Sequence, residues 1–374
     1  MPKVRNNTVF RPDLGAIAYE YSLEGASLGF IGHRVLPVFE TTEQSAQYPV
    51  IVAEALLESG DTTRSPRSAY ARGDYEFDWA DYSCRENGWE EPLDDTEAAL
   101  FRNYFDAEEV ATKRATLIVM RSMERRVAEK VMDTGVFSNG AVAAAWNSYS
   151  DADPLADVNK AKDHFRATVG LKPNALILDE DILKHVSMCQ SVMERVKYTS
   201  PNAIRGQLTL EQLQAYFGVD QILAAGAVVN KANRKKEKNI TPIWPADKVM
   251  VGCVSTGGMD LKEPSLGRTF LWTEDSPGVM TAEQYREEQT RSNIYRVRQN
   301  TDECITFTGA GYILTGVTAN PPRGFADKTG RIQKSPLWRA RARAAQSTDG
   351  SATGRQWCPW PGFPFQETRC GRRR

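Results

Sequence analysis

The sequence predicts an α+β protein, and three features of the chain support this prediction. One long amphipathic helix covers residues 106–134, a polar segment with two alternating strands precedes it, and strands mixed with shorter helices follow it. Because the strands and helices alternate with mixed spacing, we expect an α+β sheet and not a doubly wound one. The 374 residues suffice for two domains or for one domain with long appendages.

The long helix is the element around which the rest of the chain is arranged. Asp106 can cap its start, Glu109 completes a capping-box-like pair, and Gly135 provides a stop. Its apolar positions recur every three or four residues and share one face: Leu117, Met120, Met123, Val127 and Val131. Charged residues occupy the opposite face: Arg114, Arg121, Arg125 and Glu129. At about 1.5 Å per residue the helix reaches roughly 40 Å, longer than a small domain needs.

Before the helix, residues 33–90 predict a two-stranded ribbon with an extended, turn-rich tip. Apolar residues alternate along both strands, as Tyr48, Val50 and Val52 on the first and Tyr75, Phe77 and Trp79 on the second. Glu76 and Asp78 point to the other side. An isolated ribbon is marginally stable in water, and its aromatic face would be a large exposed patch. The ribbon therefore packs on its own domain or on a neighbouring subunit, and we favour the neighbour because the rest of the chain offers no obvious cover.

The segment after the helix predicts a compact mixture of short elements. We expect a turn at Asn139-Gly140, a strand through Trp146, a helix from Asp153-Pro154 to Ala167, and a buried strand within LKPNALILD. Asp179 can cap one helix that continues through His185 and Val192, and Thr209 with Gln212 forms a capping box for a helix ending at Gly218. The remaining predicted strands are VDQILAAGAVV, DKVMVGCV, RTFLW and a final pair within residues 303–317.

Composition excludes several classes of protein. Apolar and charged fractions of 41% and 25% are typical of a globular chain. No apolar run approaches 18 residues, and the N-terminal stretch has no signal-peptide core, so we expect no membrane span and a cytoplasmic site of synthesis. The six cysteines show no CxxC spacing, which favours reduced thiols over disulfides or structural zinc.

The last segment, residues 320–374, differs from the body of the chain. The net charge of −1 hides an acidic body and a basic tail, because this segment has twelve lysines and arginines against only Asp327, Asp349 and Glu367. It lacks an apolar period, and we predict that it is disordered. Trp338, Trp357 and other aromatic residues among its arginines could bind nucleic acid or a partner, but disorder without a specific role is the simpler interpretation.

Signals for catalysis or cofactor binding are weak. Gly25-Ala-Ser27-Leu-Gly29 matches the GxSxG string of serine hydrolases, but an extended segment with Pro37 follows where that site needs a helix. His185 and Cys189 lie four residues apart, a spacing that suits metal ligands, yet no second pair completes a site. We therefore predict no catalytic, cofactor-binding or metal site, and keep a serine or metal-dependent hydrolase only as a distant alternative.

The order of these pieces resembles the major capsid proteins of tailed bacteriophages with the Hong Kong 97-type fold. The resemblance covers roughly residues 30–318, and its order and spacing are more specific than any single string. The strings that support it are Leu36-Pro37-Val38, DTTRSPRSAYARGDYEFD, EEPLDDTEA, VATKRATLIVMRSMERRVA, Trp146, DADPLADVNKA, VGLKPNALILD, LTLEQLQAYFGV, ITPIWP and LGRTFLW.

The resemblance implies a domain organisation. It implies an N-terminal arm (1–32), an extended β-ribbon loop (33–90) lying over a neighbouring subunit, and a peripheral domain with the spine helix (91–150). An axial domain with returning peripheral strands (151–319) and the basic tail (320–374) complete the chain.

The resemblance also implies function and partners. We expect a coat protein that forms pentamers and hexamers of an icosahedral head, assembled in the host cytoplasm around double-stranded DNA that it contacts non-specifically. A portal, a separate scaffolding protein and possible decoration proteins would be its partners, with no membrane. The runner-up is an encapsulin-like cellular compartment of the same fold, whose particles would contain protein instead of DNA.

Two departures from the family pattern affect these expectations. Some members join a loop lysine covalently to another subunit, but this chain has no lysine between Lys3 and Lys113, so its ribbon cannot supply that amine. Some members begin with a cleavable scaffolding segment of about a hundred residues, for which a ribbon beginning near His33 leaves no room. We therefore expect non-covalent cohesion and scaffolding by another protein.

The candidate assembly interface combines the ribbon with the polar face of the helix. It comprises Tyr75, Phe77 and Trp79 with Glu76 and Asp78 on the ribbon, and Arg121 and Arg125 on the helix. The two arginines are like charges one turn apart, which is mildly unfavourable in a lone helix. We expect them to face Glu76, Asp78 or Asp81 of a neighbour's ribbon; the alternative is that they are simply solvated.

Overall fold

The computed structural model describes residues 9–10, 14, 28–51, 57, 62–64, 66–67, 69–70, 72, 77–101, 104–199, 208–232, 239–255 and 264–319. The helices are α1 (Gly32–Val35), α2 (Asp95–Phe101), α3 (Ala107–Val131), α4 (Pro154–Thr168), α5 (Glu180–Met188), α6 (Gln190–Thr199) and α7 (Leu210–Phe217). The strands are β1 (Val9–Phe10), β2 (Val38–Thr41), β3 (Ser45–Ile51), β4 (Phe77–Ser83), β5 (Arg85–Asp94), β6 (Ser138–Ala141), β7 (Ala175–Asp179), β8 (Gln221–Ala225), β9 (Val228–Asn230), β10 (Ile240–Pro242), β11 (Lys248–Gly252), β12 (Gly267–Trp272), β13 (Thr281–Glu287), β14 (Ser292–Ile305) and β15 (Gly311–Thr315).

A six-stranded sheet is built around β14. Its order is β1-β13-β14-β12-β2, and β5 also pairs with β14, from Ser292 opposite Asp94 to Thr301 opposite Arg85. The long helix α3, called the spine helix below, packs on this sheet. Its Ala115 and Val119 meet Tyr295 and Val297 in one buried cluster. The fourteen-residue strand β14 thus contacts the helix α3 and pairs with both β13 and β5, the strand that follows the ribbon.

The second sheet is five-stranded and mixed, with the order β6-β15-β11-β7-β8. Successive residues of its central strands point to opposite faces. Ile177 and Met250 pack with the C-terminal half of α3, whereas Leu176 and Val251 pack with the helices that follow the spine helix in sequence. Because both faces are covered, β7 is buried along its whole length.

The ribbon is present as the antiparallel pair β3–β4, with Ser45 opposite Ser83 and Ile51 opposite Phe77. Its accessibility alternates. Ala46, Tyr48, Val50, Ala80 and Tyr82 form a buried or half-buried inner face. Their neighbours Gln47, Pro49, Trp79 and Asp81 form an exposed outer face.

Several sequence predictions about single elements are confirmed. The long helix runs from Ala107 to Val131, with the Asp106 side chain accepting bonds from the amides of Glu108 and Glu109. It ends three residues before the predicted Thr134, and the Glu109 carboxylate pairs with Lys113 instead of closing a capping box. The predicted helix at Asp153, the buried strand at Ala175 and the Thr209–Gln212 capping box, ending at left-handed Gly218, all form.

Other predictions need correction. The strand predicted through Trp146 ends at Ala141, because the Trp146 indole turns inward and donates to the Asp157 carboxylate at 3.1 Å. The single helix predicted from Asp179 to Val192 breaks at Cys189, which has extended backbone angles. Sequence reasoning missed β5, β13 and most of β14, because these strands have many charged and amide side chains in place of apolar alternation.

The domain boundaries predicted from the sequence stay predictions, with one structural detail that bears on them. Arg85–Asp94, assigned mostly to the extended loop, pairs with β14 as part of the six-stranded sheet. The predicted disorder of residues 320–374 lies outside the described residues, as does most of the N-terminal arm.

Candidate assembly surfaces

The inner face of the ribbon is anchored on its own chain. The Tyr82 and Phe270 rings stack with centroids 4.3 Å apart and an interplanar angle of 2°, and Tyr48 lies 5.0 Å from the same Phe270 ring. The hydroxyls of Tyr82 and Thr41 lie 2.7 Å apart and share a hydrogen bond. For this face the own-domain alternative is right, because β12 places Phe270 beneath it, a contact across 188 residues of sequence that no local pattern indicates.

The outer face of the ribbon is left open. The Trp79 side chain is 65% exposed, and the carboxylate of Asp81, two residues away on the same face, has no hydrogen bond or ion pair within the described residues. Asp78 is exposed too, but it lies opposite Val50 on the inner-face side. Of the other predicted ribbon residues, Tyr75 and Glu76 lie outside the described residues, and only the backbone of Phe77 is described.

The two arginines predicted on the helix line an open groove of about 860 Å³. Helix α3 forms its floor, and strand β5 and the hairpin β9–β10 form its walls. Its lining is mainly apolar, including Ile118 of the helix, Trp89 of β5, and Val228 and Ile240 of the hairpin. In the part of the chain that the structure describes, Arg121 and Arg125 have no hydrogen-bond or ion-pair partner. The structure therefore brings the arginines together with apolar surface that sequence reasoning did not associate with them.

Other charged residues on or near the spine helix are paired. Arg126 donates to both carboxylate oxygens of Glu303, at 2.9 and 2.8 Å, and Glu303 is only 3% exposed. Lys130 donates to the backbone oxygen of Glu303 and to Asp302. On the sheet, Arg296 pairs with Glu90 at 2.6 Å and Arg298 with Glu283 at 2.8 Å. The lack of described partners for Arg121 and Arg125 is thus a local feature of the groove.

A buried carboxylate connects the start of α1, which precedes the ribbon, to the spine helix α3. Glu124 accepts hydrogen bonds from the amides of Ile31 and Gly32, at 3.0 and 2.8 Å, and from the Trp244 indole at 2.6 Å. Burial raises the pKa of Glu124, while the three donors oppose that rise. Sequence reasoning missed this residue, although a glutamate between Met123 and Val127 on the apolar helix face was the signal.

The weak sequence signals for chemistry do not converge on a site. The Cys189 thiol lies 3.3 Å from the carbonyl oxygens of Trp146 and His185, and burial raises its pKa to about 11. The Nδ1 atom of His185 instead lies 3.0 Å from the Tyr149 hydroxyl. Among the described residues, no three His, Cys, Asp or Glu side chains are grouped to hold a metal ion. Ser27 lies outside the described residues.

A search of the described helices for a bilayer-crossing segment gives none that is both long and apolar enough.

Comparison with known proteins agrees with the fold and with the sequence resemblance. No protein-family model matches the chain. The chain is 25% identical over 299 residues to the major capsid protein of Burkholderia phage BcepMu, covering 77% of this chain and 91% of that protein.

Two solved structures share the fold. The crystal structure of a phage-related protein from Bordetella bronchiseptica RB50 has a TM-score of 0.62 at 24% identity, covering 83% of this chain and 98% of that chain. The capsid of cyanophage P-SCSP1u has a TM-score of 0.50 at 11% identity, covering 77% and 88%. With the long spine helix, the ribbon and the two sheets, these similarities show the Hong Kong 97-type fold and support a major capsid protein of a tailed bacteriophage.

Proposed function

We propose that this coat protein assembles into pentamers and hexamers that tile an icosahedral head around double-stranded DNA. The observation that supports this most is the ribbon, which is anchored by Tyr82 on Phe270 while the outer face with Trp79 stays exposed. A subunit that presents one surface and accepts a different one makes head-to-tail contacts, which close into rings when the rotation permits. The protein acts by assembly, and we propose no catalytic role for it.

We further propose that cohesion between subunits is non-covalent. The ribbon belongs to the lysine-free stretch between Lys3 and Lys113, so it contains no amine for an isopeptide bond. Burial of apolar surface at each subunit interface would then hold the shell together. Each Å² of buried apolar surface contributes roughly 25 cal/mol, and we expect each interface to bury more than about 2,000 Å². A separate scaffolding protein, a portal and possible decoration proteins complete this proposal, with assembly in the host cytoplasm and only non-specific contact to DNA.

Electron microscopy of the full-length protein, expressed alone and with its phage's other head proteins, tests the proposal. We expect closed shells with five-fold and six-fold clusters, and nuclease-protected DNA in heads purified from infected cells. Closed shells that enclose a specific protein and no DNA would instead establish the encapsulin-like compartment. A chain that remains monomeric under all these conditions would contradict both.

A further inference from the structure

The groove on the spine helix has exposed apolar surface in a concave site. Three apolar side chains of its walls are well exposed: Trp89 at 46%, Val228 at 48% and Ile240 at 63%. Exposed apolar surface of this kind marks a place where another molecule binds. The groove volume of about 860 Å³ is enough to hold several side chains of a bound peptide segment.

The charged residues of the groove are mainly positive. Arg121, Arg125 and Lys231 line it, and Glu129 is the single acidic residue among its described lining residues. The connection between β9 and β10 has the same sign, because residues 233–238 contain four lysines and arginines and one glutamate. These six residues lie outside the described residues, and the proposed site does not include them. Carboxylates are therefore the charged groups that match the groove.

The groove and the ribbon lie on opposite faces of the six-stranded sheet. On β14, Glu303 points to the spine helix and accepts hydrogen bonds from Arg126, so its neighbour Asp302 points to the other face. Phe270 is paired opposite Asp302 and holds the stacked Tyr82 ring of the ribbon. In a shell whose subunits all present the same face outward, ribbons extend along the side of the sheet away from the groove. This placement favours an occupant from a different protein.

We propose, resting on the assembly function above, that the groove formed by α3, β5 and β9–β10 binds an acidic amphipathic segment of the separate scaffolding protein. Apolar side chains of that segment cover Trp89, Val228 and Ile240, as when an amphipathic helix lays its apolar face into a groove. Its carboxylates pair with Arg121 and Arg125, which have no described partner in the subunit. The spine helix then faces the inside of the shell.

Duplex DNA matches these features less well. Its phosphates would pair with the arginines, as in sequence-independent binding. It has no apolar side chains to bury Val228 and Ile240, so the apolar lining would stay in contact with water.

Fluorescence anisotropy with the full-length chain tests this chemistry. The probe is a labelled peptide of about 16 residues, made of leucine and glutamate at helical spacing. We expect Arg121→Gln with Arg125→Gln, and separately Ile240→Asn, to weaken its binding at least about tenfold. Arg114→Gln on the same helix and Leu210→Asn on α7 are the matched controls, because both side chains are exposed outside the groove. A peptide with lysine in place of glutamate should not bind.

The outcomes separate this inference from the assembly function. Peptide binding that the groove variants do not weaken, or that the controls weaken equally, contradicts the inference. A DNA duplex of about 20 base pairs that binds the two arginines as tightly and displaces the peptide would assign the groove to packaged DNA.

Electron microscopy of assembled shells provides the second test. We expect the groove on the inner wall, and a groove on the outer wall would assign it to a decoration protein instead. If wild-type shells form while the peptide does not bind, the groove inference is wrong and the coat function stands. A wild-type chain that forms no particles with its phage's other head proteins contradicts the coat function itself.

Discussion

Glu124 shows how one side chain fixes the position of three elements. Its carboxylate is 3% exposed, and it accepts bonds from the amides that begin α1 and from the Trp244 indole. Only donors surround it in these contacts, so the ionised form satisfies them best. Glycine at position 32 is part of this arrangement, because a Cβ there would lie 2.7 Å from Oε2 of Glu124.

We therefore expect Gly32→Ala to destabilise the protein by about 1–3 kcal/mol, because the carboxylate must move and lose bonds from buried amides. The usual effect of replacing glycine by alanine in a helix is a small gain. Urea unfolding of the unassembled subunit measures the change. Gly278→Ala is the matched control, since the nearest heavy atom to its Cβ would be Met280 O at 3.7 Å. Equal stability of the two variants would show that Glu124 does not constrain position 32.

Asp179 makes stability depend on pH. It caps α5 by accepting a bond from the amide of Asp181, and burial, chiefly, raises its pKa to about 6. A carboxyl whose pKa is higher in the folded state than the unfolded value of 3.8 stabilises the fold most when protonated. Its contribution is complete below about pH 4 and is lost as the pH rises through about 6.

Asp179→Asn keeps a capping oxygen and removes this titration. Relative to the wild type, the variant should gain stability between pH 5 and pH 7.5, with a difference on the order of 1–3 kcal/mol. Urea unfolding at both pH values, with Asp151→Asn as an exposed control, provides the measurement. An identical pH dependence of variant and wild type would contradict a raised pKa at Asp179.

At the scale of elements, the spine helix is held to β14 by a charge pair as well as by apolar packing. Arg126 donates a hydrogen bond to each carboxylate oxygen of Glu303. Glu303 also accepts a hydrogen bond from the Thr301 hydroxyl at 3.2 Å. Removing one member of a buried pair leaves the other charge without compensation. The pair therefore determines how far along β14 the helix sits.

Arg126→Met should destabilise the subunit by about 3–5 kcal/mol. Arg114→Met is the control on the same helix, because Arg114 is 62% exposed and its closest approach to Glu91 is 3.6 Å; its expected effect is about 0–1 kcal/mol. Combining Arg126→Met with Glu303→Leu should recover much of the loss, since the pair is replaced by apolar contact. Chemical unfolding of the three variants and the wild type checks these values, and a small effect of Arg126→Met alone would show that water compensates Glu303.

At the scale of the whole molecule, stability and assembly depend on different arginines. Arg126 points to the sheet and supports the fold, whereas Arg121 and Arg125 line the groove and have no described intramolecular partner. Charges without partners in the monomer contribute little to its unfolding free energy.

Reversing both groove arginines to glutamate should therefore block shell formation while the subunit stays folded and soluble. We expect an unfolding free energy within about 0.5–1 kcal/mol of the wild type, because the substitutions are on the surface. Sedimentation gives the assembly state and urea unfolding gives the stability. Normal shells from this variant would refute a role for the two arginines in assembly, and loss of folding would show that they support the monomer.

The sequence by itself determined the elements whose signals are local. The cap at Asp106, the apolar stripe of α3, the capping box at Thr209 and the alternation of the ribbon strands depend on neighbours within a few residues, so they could be predicted. The order of these elements was also sufficient to indicate the capsid fold. The side chains of Trp79 and Arg125 are exposed and that of Arg121 is partly exposed, while their role in assembly stays a prediction.

Only the tertiary structure decided which surfaces are covered. The stack of Tyr82 on Phe270 and the bonds from Ile31 and Trp244 to Glu124 join residues 93 to 188 positions apart. The groove likewise brings a strand, a helix and a hairpin together from separate parts of the chain. Periodicity predicts which residues share the buried face of a strand or helix, but it does not predict which other element that face contacts. The physical reason is that pairing between distant strands and helices depends on shape and charge complementarity across the whole chain, which no local pattern contains.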